Sequence, residues 1–310
     1  MDANTEKRIR DKRIKRNKKL MMLALAFPFI AVVIMFFYVP IAGWALSFFN
    51  YKPGIPFSKT PFTGFNNFRL IYDNRREITR VLINTFTLGF LNILTSPLAV
   101  LFALLLNEVR TIRFKKLVQI TTTIPHFVSW VIIFSLGFAI FSNEGMLNNL
   151  FLRTGVLSKP YNILTDIDNV WPFQTALSVW KSLGWNTIIY IAAIAGIDEE
   201  LYGAAKVDGA GRFYCAVHIT FPGVLPTFVV LLLLTISNIL GMGFEQYFVF
   251  NNTLVVNRLE VLDLYLYRIG ITTFDYSYAV AIGMLKSFFS IALLFTANYL
   301  ANRLRGDPII

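Results

Sequence analysis

Two lysines stand where charge is out of place. Lys181 and Lys286 each lie inside an otherwise uncharged apolar stretch, ten and eleven residues past Trp171 and Asp275. Ionisable groups at such depth usually face a bundle interior or a wet cavity. With Trp185, Asn186, Glu245 and Gln246 they make a set that could hold a hydroxylated, acidic ligand, with rings stacked on aromatics and carboxylates paired to the ammonium groups. The alternative starts both stretches later, near Trp180 and Tyr276 to Tyr278, and lets the lysines snorkel to an interface. For bond-making chemistry there is no comparable set. His126 and His218 are the only histidines, one in an apolar stretch and one in a polar segment, and Cys215 is the only cysteine. They offer no cluster of metal ligands, no nucleophile beside a base and no internal disulfide. The phosphate cradle G-x-x-x-x-G-K-[ST] is absent from the sequence, so any nucleotide hydrolysis coupled to this chain belongs to another one.

The elements that must position these residues are membrane helices. The chain has 310 residues, of which 55% are hydrophobic and 15% charged, with a mean hydropathy of +0.57. Four charge-free runs, Leu20 to Tyr51, Val81 to Asn107, Leu117 to Asn143 and Phe213 to Phe244, are each long enough for a hydrocarbon core, which takes about 20 helical residues. Trp171 to Ile197 and Tyr276 to Asn302 join them once Lys181 and Lys286 are tolerated, which predicts six spans. Runs of this length exclude alternating barrel strands, so the fold class is an all-α membrane protein.

The net charge of +11 does not point to nucleic acid, because nine of the 29 Lys and Arg residues lie in Met1 to Lys19, directly before the first span. A basic block there keeps the N-terminus in the cytoplasm, and six spans bring the C-terminus back to the same side. The apolar part continues past Tyr38, too far for a signal peptide, and stays attached. Residues 1–19 are thus a basic cytoplasmic tail and 20–310 a transmembrane domain, with no room for a soluble domain. One stretch strains the orientation: Arg69, Arg75, Arg76 and Arg80 cluster outside, as an amphipathic surface segment.

The remaining informative segment is the cytoplasmic loop at about 198–222, which begins D-E-E-L-Y-G-A-A-K-V-D-G-A-G-R-F. Asp198 can cap a short helix, on which Leu201, Ala204, Ala205 and Asp208 share a face. Tyr202 and Gly203 lie between them. Gly209, Ala210 and Gly211 break this helix, a second short helix starts at Phe213, and Pro222 opens the next span.

A helix, a glycine turn and a second helix between two spans resemble the EAA loop of ABC importer permeases. Ala204, Ala205, Gly209, Ile219 and Pro222 fall at the positions of that pattern, while Gly203 replaces its glutamate and Phe221 its leucine. The segments F-T-G-F-N-N-F (Phe62 to Phe68), G-F-E-Q (Gly243 to Gln246), D-L-Y-L-Y-R (Asp263 to Arg268) and Y-S-Y-A-V-A-I-G-M-L-K-S (Tyr276 to Ser287) are similar to the sugar-type branch that imports complex oligosaccharides and uronic-acid-containing saccharides. The resemblance implies a type I ABC importer permease fold and a second homologous permease. It also implies two ATPase subunits that bind ATP and Mg and grip the loop, and an extracytoplasmic solute-binding protein that delivers the sugar. The chain itself would hold no cofactor and would not be an enzyme. Two other classes remain as alternatives: an ATP-independent carrier or channel, and a membrane enzyme acting on lipid-linked sugars. The first would require repeats or an ion relay, the second clustered catalytic groups, and the sequence displays neither.

Overall fold

In hydrocarbon the backbone can satisfy its N–H and C=O groups only within a helix or a closed barrel, and this chain takes the helical solution. The computed structural model describes residues 3–241 and 243–305. Among these the only β pairing is an isolated bridge between Phe49 and Phe62. Helix α1 (Ala3–Val33) continues through a π turn to a 3-10 stretch ending at Phe48. The short α2 (Asn66–Asp73) leads to α3 (Arg75–Thr95) and α4 (Pro97–Glu108), two halves of one long helix bent at Ser96 and Pro97. Next come α5 (Ile112–Phe127), α6 (Trp130–Phe141), α7 (Met146–Arg153) and α8 (Val170–Ala195). The helix expected in the 198–222 loop is α9 (Glu199–Val207). After it α10 (Arg212–Cys215) passes through a π turn into α11 (Phe221–Ser237). Two short helices, α12 (Phe244–Phe250) and α13 (Leu262–Tyr267), precede the final α14 (Tyr276–Arg305).

Five helices among the described residues are long and apolar enough to cross a membrane: Asn17–Phe48, Arg75–Glu108, Trp130–Arg153, Arg212–Ser237 and Tyr276–Tyr299. The expected third span, Leu117 to Asn143, is not one helix. It breaks between Phe127 and Trp130, where Val128 and Ser129 are extended and the Ser129 hydroxyl caps α6 by accepting from the Ile132 amide. No charge marks the break, so hydropathy reads straight through it. The expected fourth span is intact as the 26 residues of α8 but is the least apolar of the long helices, because Ser178, Lys181, Ser182 and Asn186 interrupt it. The expected fifth span, Phe213 to Phe244, stops at Ser237, and a 3-10 turn and the left-handed Gly243 follow. The second short helix expected from Phe213 forms one residue earlier, at Arg212, and is continuous with the span that follows. Its residues run into α11 through the wide turn Ala216–Thr220, just before Pro222, which has no N–H to donate.

The arginines of residues 69–80 also find partners. Arg80 pairs with Glu77 and Glu260, Arg69 with Asp73, and the Arg75 guanidinium lies over the Tyr72 ring.

The helices pack closely where side chains are small, as membrane interfaces require in the absence of a hydrophobic drive between helices. At Gly184 of α8 a Cβ atom would sit 2.2 Å from the backbone oxygen of Thr122 on α5, so the two backbones are in direct contact there. Ala99, Val100 and Ala103 of α4 meet Tyr190 and Ile194 of α8 and Val224 of α11 in a second tight cluster. The membrane part of α1 buries no residue in this chain between Leu20 and Ala42, leaving it to lipid or another subunit. Replacing Gly184 with alanine forces α5 and α8 apart. The Gly184→Ala protein is expected to lose several degrees of melting temperature in detergent, which a thermal-shift assay on the purified complex measures, whereas Gly203→Ala, with open space around it, leaves the value unchanged.

Candidate functional site

A helix that presents serine or asparagine every fourth residue puts polar atoms on one stripe. On α8 that stripe is Ser178, Ser182 and Asn186, and it faces Asn92, Thr95 and Ser96 at the bend between α3 and α4, with Thr235 and Asn238 at the end of α11 closing the third side. These residues line two cavities of about 290 and 220 Å³ that share Ser96, Ala99, Asn186 and Thr235. The hydroxyls of Thr95, Ser96, Ser182 and Thr235 donate back to carbonyls of their own helices at 2.7–3.1 Å. Their lone pairs therefore remain as acceptors. The Asn186 amide has no protein partner among the described residues and supplies both donor and acceptor. No carboxylate or ammonium lines either cavity. Of this set only Asn186 was expected. The signal that would have found the others is the four-residue spacing of hydroxyl and amide side chains inside apolar stretches.

The lysines are engaged elsewhere. Lys181 donates from Nζ to the carbonyls of Pro125, His126 and Val128 at 3.2, 2.7 and 2.5 Å, and lies 5.4 Å from the Trp130 ring centroid. An ammonium group has three N–H bonds, and here all three are used to cap the broken end of α5. Beside it the Trp185 and His126 rings stack at 4.4 Å and 2°. Lys286 is ion-paired with Asp263, a partner the sequence reading did not assign. Neither ammonium is therefore free to meet a ligand carboxylate in this conformation. Gln246 is buried and donates to the backbone and side-chain oxygens of Gln174, both at 2.8 Å, away from the cavities. Glu245 is exposed, within electrostatic reach of Lys181. The expected set thus divides: Lys181 and Trp185 come together at the helix break, Asn186 faces the cavity, and Lys286 and Gln246 hold the scaffold. His218 stacks on Tyr214 at 4.0 Å, and no group of three potential metal ligands occurs among the described residues.

The loop helix α9 is built as its residues dictate. The Asp198 carboxylate accepts from the Glu200 amide at 2.9 Å, Glu199 and Glu200 sit at the positive end of the helix dipole, and Lys206 lies at the negative end. The helix ends on Gly209 at φ +79°, with Gly209 N–H bonded to Lys206 O and Ala210 N–H to Ala205 O. This left-handed closure is the one position in the loop that requires glycine. Tyr202 and Ala205 turn toward the body, and the Tyr202 hydroxyl meets Thr220 at 3.0 Å, tying the two arms together. Leu201, Ala204, Val207, Asp208 and Phe213 are exposed. The salt bridge from Arg212 to Glu108, 2.8 Å, joins the loop to the end of α4. An open groove of about 560 Å³ runs past Gly203, between Lys115 and Lys206.

Comparison with known proteins decides what this loop and helix arrangement belongs to. Residues 95–306 match the model of the binding-protein-dependent transport system inner membrane component. The chain belongs to that family. The permease is 38% identical to Protein LplB of Bacillus subtilis (strain 168) over 94% of this chain and 90% of that protein. It is 35% identical to the polygalacturonan/rhamnogalacturonan transport system permease protein YteP of the same organism, over 100% and 97% of the two chains. A crystal structure of a bacterial ABC transporter involved in the import of the acidic polysaccharide alginate contains a chain that superposes with a TM-score of 0.85 at 31% identity, over 95% of the permease and 98% of that chain. The permease is a multi-pass inner-membrane transport component of the sugar-type branch, and ATP hydrolysis belongs to a separate subunit.

Removing the Lys181 ammonium strands three carbonyls at the helix break. The permease with Lys181→Met is expected to lose about 2–3 kcal/mol of stability, the cost of a lost charged cap, read by chemical denaturation in detergent. Lys286→Met together with Asp263→Leu, which removes both charges of a pair, is expected to cost less than either change alone.

Proposed function

We propose that this chain is one of two homologous permeases that together enclose the translocation path of an ATP-driven oligosaccharide importer. The observation that carries the reading is the uncharged, hydroxyl- and amide-lined cavity between α3, α4, α8 and α11. Acceptor lone pairs and one free amide suit a ligand rich in O–H donors, and the absence of strong ionic contacts lets such a ligand leave as readily as it enters. A hydroxyl-rich chain meets many modest hydrogen bonds there, each exchangeable for water.

The surplus of Lys and Arg in the inside segments, 17 against 10 in the outside ones, supports six crossings with both termini cytoplasmic, the third shared by α5 and α6 on either side of their break and the fourth formed by α8. In this reading α9, with Leu201, Ala204, Val207 and Asp208 outward, is gripped by one of two ATPase subunits carrying ATP and Mg. A solute-binding protein delivers the saccharide on the other side. The relatives' names, polygalacturonan/rhamnogalacturonan for one and alginate for another, favour uronate-containing fragments as the cargo. Since Lys181 and Lys286 are satisfied by the protein, preference for acid over neutral sugar would rest with the binding protein, and the permease would read hydroxyls.

Two experiments test this. The complete complex, purified with its second permease, ATPase and binding protein and reconstituted in proteoliposomes, is expected to hydrolyse ATP faster with uronate-containing oligosaccharides than with monosaccharides or amino acids. With Ser182→Leu and Asn186→Leu, uptake should fall at least about tenfold, the loss of one to two hydrogen bonds to the ligand, while the complex still assembles. No stimulation by any saccharide would exclude the reading. For the loop, valine at Gly209 cannot take the left-handed conformation without strain of about 1–3 kcal/mol. Gly209→Val is expected to abolish saccharide-stimulated hydrolysis and uptake with the membrane helices intact, and glutamate at Gly203 to leave both unchanged or raise them.

A further inference from the structure

Where α4 approaches the loop, the surface is hollow and apolar. Leu101 and Leu105 lie on one face of α4, and Phe213, Val217 and Phe221 follow one another at four-residue spacing along the arm that leads from the loop into α11. All five are exposed, Leu105 at 68% and Phe213 at 83%, and they line a groove of about 620 Å³. From Leu101 to Glu108 its wall is about 10 Å long at 1.5 Å per residue. That is within the depth of one leaflet, about 15 Å of hydrocarbon.

The groove is charged at one end only. Its charged lining residues are Glu108 and Arg212, and Arg212 donates from one terminal nitrogen to the Glu108 backbone oxygen at 2.5 Å and to its carboxylate at 2.8 Å. A guanidinium has five N–H bonds, so three of those on Arg212 have no protein partner among the described residues. Directly past Glu108 the chain reads V-R-T-I-R-F-K-K, with no carboxylate. Arg110, Arg113 and Lys116 are exposed there, and none of the three has an ion-pair partner among the described residues. Lys115 lines the separate groove beside Gly203. The apolar slot therefore opens at its loop end onto a surplus of cations.

We infer that this groove is a site for one anionic phospholipid of the cytoplasmic leaflet, with an acyl chain along Leu101, Leu105 and Phe213 and the phosphate between Arg212 and Arg110. The inference rests on the reading that puts the 198–222 loop in the cytoplasm. Shape and charge decide the occupant. A phospholipid is apolar along its chains and charged at its head, in the same order as the groove, and basic residues at the cytoplasmic ends of helices are where anionic headgroups gather. A zwitterionic lipid fits the slot equally well but carries an ammonium group toward Arg110 and Arg113. The competing occupant is the first span of the second permease. A span like the first one of this chain, which follows nine Lys and Arg residues in Met1 to Lys19, would bring cations against cations, and like charges repel. In place, the lipid holds the arm against α4, and with it α9, whose Tyr202 is tied to Thr220 of the same arm.

The test reads lipid binding and not transport. The assembled complex, purified in detergent, is offered equal amounts of phosphatidylglycerol and phosphatidylcholine, and retained lipid is counted by native mass spectrometry. Phosphatidylglycerol is expected to be favoured at least about fivefold, the preference that one basic residue confers at an anionic surface. Arg110→Gln together with Arg113→Gln should bring the ratio toward one, and Leu105→Trp, which fills the groove, should reduce the lipid retained. Equal retention of the two lipids by the wild type, or an unchanged ratio and amount in the assembled variants, overturns the site. A photoreactive benzoylphenylalanine in place of Leu105 identifies the occupant directly, after irradiation of the complex in vesicles of the two lipids. An adduct with the mass of phosphatidylglycerol is expected. A cross-link to the second permease, or an adduct with phosphatidylcholine in equal yield, means that protein or bulk lipid covers the groove, and the inference fails. The importer reading fails on a different result, a wild-type complex that no saccharide stimulates, and lipid retention does not depend on that outcome.

Discussion

The arrangement depends on how the chain deals with three backbone carbonyls released where α5 ends. In an apolar layer an unpaired carbonyl costs as much as a hydrogen bond gains elsewhere, so a helix can be broken there only if another group reaches the exposed oxygens. Lys181 reaches Pro125, His126 and Val128, and this allows α6 to leave at a new angle and pack its Ile133 and Phe134 on Phe250 and Leu88. The direct backbone contact at Gly184, one turn along α8, sets the distance over which the ammonium works. Without that contact α8 would not present Ser178, Ser182 and Asn186 to the bend at Ser96.

The bend in turn divides the long helix into two functional halves. On one side of it α3 carries Glu77, Arg80 and Asn84 to Asn257, Glu260 and Arg268; on the other α4 carries Glu108 to the loop. The polar residues sit at the joint, where Pro97 and the Ser96 hydroxyl already disturb the helix bonds. One long helix is thus tied to residues 257–268 near one end and to the loop at the other, with the polar cavities at its joint. Charges are used only at the ends, where they find partners; the middle is left to neutral groups.

Much of this was legible in the residues. Apolar length gave the helical class and placed α8, α14 and the first apolar span, Asn17–Phe48, within about three residues, and the α3–α4 pair with a start six residues late, because burial of backbone in lipid leaves one local solution and local composition reports it. The loop was legible for the same reason: an acidic cap, two alanines and a glycine at φ +79° are local chemistry. The break after Phe127 was not, since Pro125 sits in many unbroken membrane helices and the decisive group, Lys181, lies 53 to 56 residues away.

By itself, then, the sequence determined which stretches are helices, where the loop helix α9 begins and ends, and which family the chain resembles; all of these follow from neighbours along the chain. Only the tertiary structure decided what the buried charges do. Lys181, Lys286, Arg80 and Glu260 look alike in sequence, as ionisable residues in or beside apolar stretches. One caps a broken helix, one pairs with Asp263, and two join a network that ties Glu260 and Arg268 to α3. The reason is that a charge in a low-dielectric interior is governed by its nearest opposite dipole, and those neighbours come from segments that only folding brings together.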